Sequence, residues 1–234
     1  MIQQGLAYQP RNPALAAALK EAAKATRALA MGTGFVVAPG GYVLTNYHVV
    51  EAASKVVIQL GGREEEIPAE IVARDLQQDV ALLKIRLPRG VSLRPLPLAL
   101  AEPPRGTKVG AFGFAGGEAL GSGMKLTTGV VSATADQAPN GMMLLDCRIN
   151  PGNSGGPLCD TSGTVVGMVT AKSLSTVVMD SYGIALPAKT IEQFLAKHLP
   201  SRAPAGPRPR RAAMEWQEID QLVAPSVVMV IKKD

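Results

Sequence analysis

The sequence predicts an all-β fold, a sandwich or a barrel, and three features support this prediction. Short apolar segments separated by glycine and proline fill most of residues 31–187, a pattern typical of such folds. A stretch with five prolines, residues 88–105, divides these segments into two groups. Helical patterns lie on either side of the β segments, at residues 13–30 and 188–198. The sequence therefore predicts two β units with a helix on each side of them.

The elements follow in order along the chain. Residues 13–30 are rich in alanine, with a proline near the start and no internal glycine, which predicts a helix. Strands of the first group are predicted at residues 34–38, 42–45, 56–60, 67–73 and 80–85. Strands of the second group are predicted at residues 108–112, 125–131, 143–146, 156–158, 165–169 and 182–186. The helix at 188–198 carries one apolar stripe, formed by Ile191, Phe194, Leu195 and Leu199.

These elements predict five segments: a helical segment 1–30, a first β unit 31–90, a second β unit with its helix 106–199, a Pro/Arg-rich linker 200–224, and a terminal strand segment 225–234. The linker explains the positive charge of the chain. The formal net charge is +5, and four arginines of the linker account for all but about +1 of it (5 − 4 = 1). The remainder is near neutral, so the sequence predicts no nucleic-acid partner.

One serine lies in a turn of unusual composition, NPGNSGGPL at residues 150–158. Such a glycine-rich turn leaves backbone N–H groups free to bind an anion. If Ser154 is a nucleophile, the N–H groups of Gly152 and Ser154, with Asn153 between them, are the expected oxyanion hole. The alternative is a hairpin loop in which the serine is only a polar surface residue.

A serine nucleophile needs a base, and the base needs an orienting group. Of the two histidines, His198 lies in the last turn of the predicted helix, where an imidazole is ordinary. His48 lies at the exit of an apolar strand, in GYVLTNYHVV, and Asp79 lies at the mouth of another, in QQDVALLKI. We therefore predict a catalytic triad of His48, Asp79 and Ser154, and no metal site or cofactor.

The resemblance to a known family is carried by three phrases: GTGFVVAPGGYVLTNYHVV, DVALLKI, and INPGNSGGPL followed by VVGMVTA and YGIALP. They resemble the trypsin-like serine proteases and are similar, more narrowly, to the HtrA/Deg branch. The resemblance covers about residues 31–199 and keeps the family's order. It implies two six-stranded β-barrels and a serine endopeptidase acting on polypeptides. The alternative function is a catalytically silent binding or scaffold module of the same fold.

The strand count is uneven, because the first group offers five strands where the resemblance implies six. In the HtrA pattern the missing strand precedes the GTGF-like phrase and reads much like APSVV, and this chain has APSVVMVI near its C-terminus. We therefore predict that residues 227–231 complete the first barrel, as in a circular permutation. Two alternatives stay open: the segment opens a second, truncated protease domain, or it fills the gap in a neighbouring molecule.

The substrate pocket is predicted by analogy with the family. Its expected lining residues are Arg148, Ile149, Val169, Thr170 and Ala171. Two of them, Ile149 and Ala171, predict a pocket for small aliphatic P1 side chains. Arg148 departs from the family's small residue and is expected to face solvent; the alternative is that it points inward and favours acidic P1 side chains. Asp146 is the only acid near the pocket, so cleavage after Lys or Arg is disfavoured.

Other expectations concern assembly and compartment. The 35 residues after Leu199 are too few for a PDZ domain, and an oligomer is compatible with the sequence without being predicted by it. Cys147 and Cys159 are either reduced thiols, which we favour, or a disulfide across the Ser154 loop. No apolar run reaches the ~20 residues of a membrane span, and the first residues do not form a signal peptide. This predicts the cytoplasm by default, whereas the family resemblance implies the cell envelope.

Overall fold

The described residues of the computed structural model are 30–61, 63–115, 123–170, 182–199 and 212–233, and their strands close into two six-stranded barrels. The first barrel contains β1 (Ala30–Ala38), β2 (Tyr42–Thr45), β3 (Lys55–Leu60), β4 (Glu66–Asp75), β5 (Val80–Ile85) and β12 (Val227–Lys233). The second contains β6 (Lys108–Gly113), β7 (Lys125–Ala133), β8 (Met143–Leu145), β9 (Pro157–Asp160), β10 (Val165–Thr170) and β11 (Gly183–Pro187). The helices are α1 (Tyr47–Val50), α2 (Ala188–His198) and α3 (Trp216–Val223). The predicted two-barrel fold is confirmed.

The first barrel is completed by the last strand of the chain. Its strand order is β1, β12, β3, β4, β5, β2, and β12 is antiparallel to both of its neighbours. Thr33 pairs with Met229 on one side, and Ile58 pairs with Val230 on the other. Because every strand of a closed barrel has two partners, no edge is left exposed. The prediction that residues 227–231 return to the first barrel is therefore confirmed.

The second barrel has the order β10, β11, β8, β7, β6, β9. Helix α2 follows β11 directly and packs on β10 and β11, and its buried side chains Ile191, Phe194 and Leu195 belong to the predicted stripe. β9 and β10 pair with each other on the C-terminal side of the Ser154 loop, which anchors that end of the loop in the barrel.

Three clusters of buried side chains form the core, built mainly from Val, Leu, Ile, Ala and Met. One draws on the first barrel alone, one on the second alone, and the largest joins both barrels to α2 and α3. Successive side chains of β12 point to opposite faces of the strand, so β12 contributes to two of these clusters. Val228 and Val230 pack in the first-barrel cluster, whereas Val227, Met229 and Ile231 pack in the shared one.

Helix α3 lies within residues 200–224, which the sequence predicts as a linker, so the structure differs from the prediction here. It begins with a capping box, in which the side chains of Glu215 and Glu218 each accept a backbone N–H. Trp216 packs against Gly110 of β6, and the Met214 N–H donates to the Thr161 carbonyl at 2.8 Å. The chain thus crosses the second barrel before it enters the first.

Several predictions concern residues that the structure does not describe. The N-terminal helix and most of the arginine-rich linker lie outside the described residues, apart from Ala30, which begins β1. Within the described ranges, no helix is long and apolar enough to cross a membrane.

Candidate active site

His48 and Asp79 form a two-point contact. His48 lies on α1, the single helical turn that follows β2, and Asp79 lies directly before β5. The His48 Nδ1 atom is 2.7 Å from Asp79 Oδ2, and the His48 backbone N–H donates to Asp79 Oδ1 at 2.9 Å. The carboxylate therefore fixes both the position and the orientation of the imidazole. The Asp79 side chain is 5% exposed, whereas that of His48 is 27% exposed and so reaches the surface.

Asp79 has a left-handed backbone conformation, with φ of 55°. This conformation is uncommon for a residue with a side chain, although aspartate and asparagine tolerate it best. The surrounding structure holds it in place: the Asp79 carbonyl accepts the Asn46 side-chain amide at 2.8 Å and the Tyr47 backbone N–H at 3.1 Å. The segment that carries His48 thus binds Asp79 through main chain and side chain together.

Ser154 lies in a loop between β8 and β9 that is held by several backbone hydrogen bonds. The Asn153 N–H donates to the Asn150 carbonyl at 3.0 Å, and the Gly156 N–H donates to the Asn153 carbonyl at 2.9 Å. The Ser154 carbonyl accepts the Thr33 N–H from β1 at 2.8 Å, so the first barrel contacts the loop at the serine itself. Ser154 is 4% exposed.

The loop packs on the same part of the first barrel that carries His48. Gly155 has φ of +85°, and a Cβ there would collide with the Thr33 carbonyl and with the Thr45 hydroxyl at the end of β2. From the other side, the Thr170 hydroxyl at the end of β10 donates to Asp79 Oδ2 at 3.4 Å. The loop that carries Ser154 therefore packs against the part of the first barrel that carries His48 and Asp79, at the seam between the barrels.

In the predicted oxyanion loop, Gly152 has a backbone conformation that favours glycine. Gly152 has φ of +99°, and a Cβ there would collide with the Phe114 carbonyl. No described residue accepts a hydrogen bond from the Gly152 N–H. Asn153 contributes differently, because its N–H is used within the turn and its side chain is 1% exposed.

The predicted pocket residues have different surroundings. Arg148 is exposed, as expected, and Ile149 is half-buried beside Gly183. Val169 packs in the second-barrel core, and the Thr170 side chain contacts Asp79. Ala171 lies outside the described residues. Asp146, the acid considered for the pocket base, is exposed and accepts the Val130 N–H at 2.5 Å.

Comparison with known proteins identifies the family. The model of the trypsin-like peptidase domain matches residues 32–168, which is more than half of the chain. The chain belongs to the trypsin-like peptidase family. Within it, the relatives are of the DegP/HtrA type. A "Probable periplasmic serine endoprotease DegP-like" of Pseudomonas savastanoi is 38% identical over 142 residues, which are 59% of this chain and 28% of that protein. The chloroplastic protease Do-like 1 of Arabidopsis thaliana is 36% identical over 168 residues, 68% of this chain and 37% of that protein.

Solved structures of this trypsin-like type have the same fold. A serine endoprotease from Yersinia pestis aligns with a TM-score of 0.60 at 26% identity, covering 76% of this chain and 66% of that one. The HtrA-type protease AlgW, solved with a decapeptide, aligns with a TM-score of 0.58 at 30% identity, covering 70% and 50%. The chain spans about a third of the length of the curated relatives it matches.

Three residues of this trypsin-like site were not predicted in the roles they have. Thr33 bonds the Ser154 loop, Asn46 bonds the Asp79 carbonyl, and Thr170, which the sequence predicts as a pocket residue, contacts the Asp79 carboxylate. Of these three residues, only Thr33 has a sequence pattern that could have indicated its role, because it lies between two glycines in GTGF. A Cβ at the first of these glycines, Gly32, would lie 2.6 Å from Val49, the residue after His48.

The two cysteines are free, buried thiols. Burial raises the pKa of Cys147 to about 11, with a further rise from the adjacent Asp146 carboxylate. Burial also raises the pKa of Cys159, which is completely enclosed. Both thiols therefore stay protonated at neutral pH, and neither is suited to act as a nucleophile.

Proposed function

We propose that this chain is a serine endopeptidase of the HtrA type that uses His48, Asp79 and Ser154. The main support is the two-point contact of Asp79 with His48, on a segment against which the Ser154 loop packs. An aspartate that only stabilised the fold would not need to bind both the ring and the backbone N–H of one histidine. Membership of a family with protease relatives supports the same activity.

In the proposed reaction, Ser154 Oγ attacks the carbonyl carbon of a peptide bond while His48 Nε2 accepts the hydroxyl proton. The bond from Nδ1–H to Asp79 Oδ2 keeps Nε2 unprotonated beforehand and stabilises the imidazolium that forms. The intermediate carries a negative oxygen, for which the N–H groups of Gly152 and Ser154 are the proposed donors. His48 then protonates the departing amine, and water releases the acyl group by the same steps.

The proposed P1 preference is for small aliphatic side chains. Ile149 supplies a half-buried apolar surface next to the Ser154 loop, and Arg148 is exposed to solvent. The Asp146 carboxylate already accepts the Val130 N–H through one oxygen, which disfavours it as a partner for a basic P1 side chain. A location in the cell envelope fits the periplasmic and chloroplastic names of the relatives, and the proposed partners are polypeptide substrates.

Casein hydrolysis by single variants tests this function. We expect Ser154→Ala and His48→Ala each to lower kcat by about a million-fold, because neither the nucleophile nor its base can be replaced. His198→Ala is the matched control, since His198 stacks on Phe194 at the end of α2, and it should keep wild-type kcat. Hydrolysis by Ser154→Ala at the wild-type rate would refute the proposal. A folded wild-type protein without activity on any polypeptide would favour a binding module.

A further inference from the structure

We propose that Thr33 is a positioning residue that fixes the peptide unit following Gly152 and thereby supports the orientation of the Gly152 N–H as an oxyanion donor. The proposal rests on the proposed function, because it assigns Thr33 a part in the same reaction. Thr33 lies in β1 of the first barrel, 119 residues before the loop it contacts, and is 0% exposed. It acts through Gly152 and does not itself touch the substrate.

The Thr33 hydroxyl acts as both a hydrogen-bond acceptor and a hydrogen-bond donor, and its partners fix which bond is which. The Phe114 N–H donates to Thr33 Oγ1 at 3.0 Å, and Thr33 Oγ1 is 2.6 Å from the Gly152 carbonyl oxygen. A hydroxyl carries a single proton. A carbonyl only accepts, so that proton must point to Gly152, and the lone pair that faces Phe114 receives its N–H. Burial excludes water as a substitute for either bond.

The bond to the Gly152 carbonyl immobilises the peptide unit between Gly152 and Asn153. Its carbonyl end is bonded to Thr33, and its N–H end is bonded to the Asn150 carbonyl at 3.0 Å. With this unit fixed at both ends, the direction of the Gly152 N–H depends only on the φ and ψ angles of Gly152. Thr33 therefore removes the freedom of the following peptide unit and leaves only these two angles of Gly152, whose φ of +99° is a conformation that glycine adopts readily.

The backbone of Thr33 binds the neighbouring part of the loop. Its N–H donates to the Ser154 carbonyl at 2.8 Å, and its carbonyl accepts the Thr45 hydroxyl at 2.7 Å. Backbone bonds survive substitution of the side chain, so the loop stays docked when only the hydroxyl is removed. Removing only the side-chain hydroxyl should therefore disturb the orientation of Gly152 while the loop stays docked.

The test compares Thr33→Ala with Thr33→Ser, which differ only in the hydroxyl. We expect Thr33→Ala to lower kcat on a peptide substrate by about 100-fold with KM changed by less than threefold, since an oxyanion donor acts mainly in the transition state. Thr33→Ser should stay within fivefold of wild type. Ser226→Ala is the matched control: it removes another buried hydroxyl bond of 2.6 Å, to the Arg94 carbonyl, and should lower Tm without changing kcat.

Hydrogen exchange of the amides in residues 150–158 provides a readout that does not depend on activity. We expect at least tenfold faster exchange in Thr33→Ala than in Ser226→Ala. A kcat within threefold of wild type in Thr33→Ala, or equal losses in both Thr33 variants, would overturn the proposal. If the wild-type protein has no activity, the proposed function fails, and the exchange comparison alone decides the role of Thr33. If Thr33→Ala does not fold, Thr33→Cys replaces it, because a thiol is a weak donor.

Discussion

Asp79 is the residue on which the candidate site depends most. Its carbonyl oxygen and both of its carboxylate oxygens are bonded to residues 46–48, and the Thr170 hydroxyl reaches it from the second barrel. These bonds stabilise a left-handed backbone conformation that costs about 1–2 kcal/mol in isolation. Strain held by so many partners indicates a residue whose orientation matters more than its contribution to stability.

Asp79→Asn isolates the electrostatic role of this residue. Asparagine tolerates the same backbone conformation and has nearly the same shape, so the fold should be retained. Its amide can donate to His48 Nδ1, which would leave Nε2 protonated and unable to accept the Ser154 proton. We expect kcat at pH 7 to fall by about 10⁴-fold with little change in Tm. A folded variant with kcat within tenfold of wild type would contradict this role.

At the residue scale, the sequence was sufficient to propose the triad but not its supporting residues. His48, Asp79 and Ser154 stand out because each belongs to a rare residue type or phrase at a strand end. Thr33, Asn46 and Thr170 are common polar residues, and their roles arise from contacts between segments 33 to 119 residues apart. The Asn46 contact follows from closure of the first barrel, and the Thr33 and Thr170 contacts follow from docking of the two barrels. No local pattern encodes either event.

At the level of elements, β12 has the largest consequence for the fold. It is inserted between β1 and β3, and its residues Val228 and Val230 are completely buried in the first barrel. Its removal would expose both neighbouring strand edges and open the core. Because β12 pairs with Thr33 of β1, the same strand also supports the contact with the Ser154 loop.

Variants of β12 test this dependence. We expect deletion of residues 227–234 to abolish cooperative melting and activity together, and Val230→Asp to do the same by placing a charge in the core. Lys232→Ala is the control from the same strand, since its side chain is half-exposed and its bond is to the Glu51 carbonyl. It should change Tm by a few degrees at most. Unchanged melting and activity after the deletion would refute the assignment of β12 to this barrel.

The elements were predicted unevenly, and for physical reasons. Strands with buried faces carry strong apolar patterns, and the missing sixth strand could be found because a barrel must close. Helix α3 was missed because it is only eight residues long and follows a Pro/Arg-rich stretch. Its apolar residues Trp216, Ile219 and Val223 have helical spacing, but so short a pattern is ambiguous until the surface it covers is known.

At the scale of the whole molecule, the site belongs to the contact between the barrels and to neither barrel alone. His48 and Asp79 come from the first barrel, and Ser154 and Thr170 come from the second. The largest core cluster spans both barrels and holds them together, and α3 with β12 links them a second time. Activity should therefore be lost as soon as the barrels separate, even where each keeps its strands.

Fluorophosphonate labelling followed by peptide mapping tests the central claim most directly, because the reagent reports a serine activated by its neighbours. We predict a single adduct, on Ser154, in the native protein. The adduct should be absent in His48→Ala, retained in His198→Ala, and lost when the protein is unfolded before labelling. An adduct on a different serine, or none on a protein shown by melting to be folded, would contradict the claim that Ser154 is the nucleophile of this site.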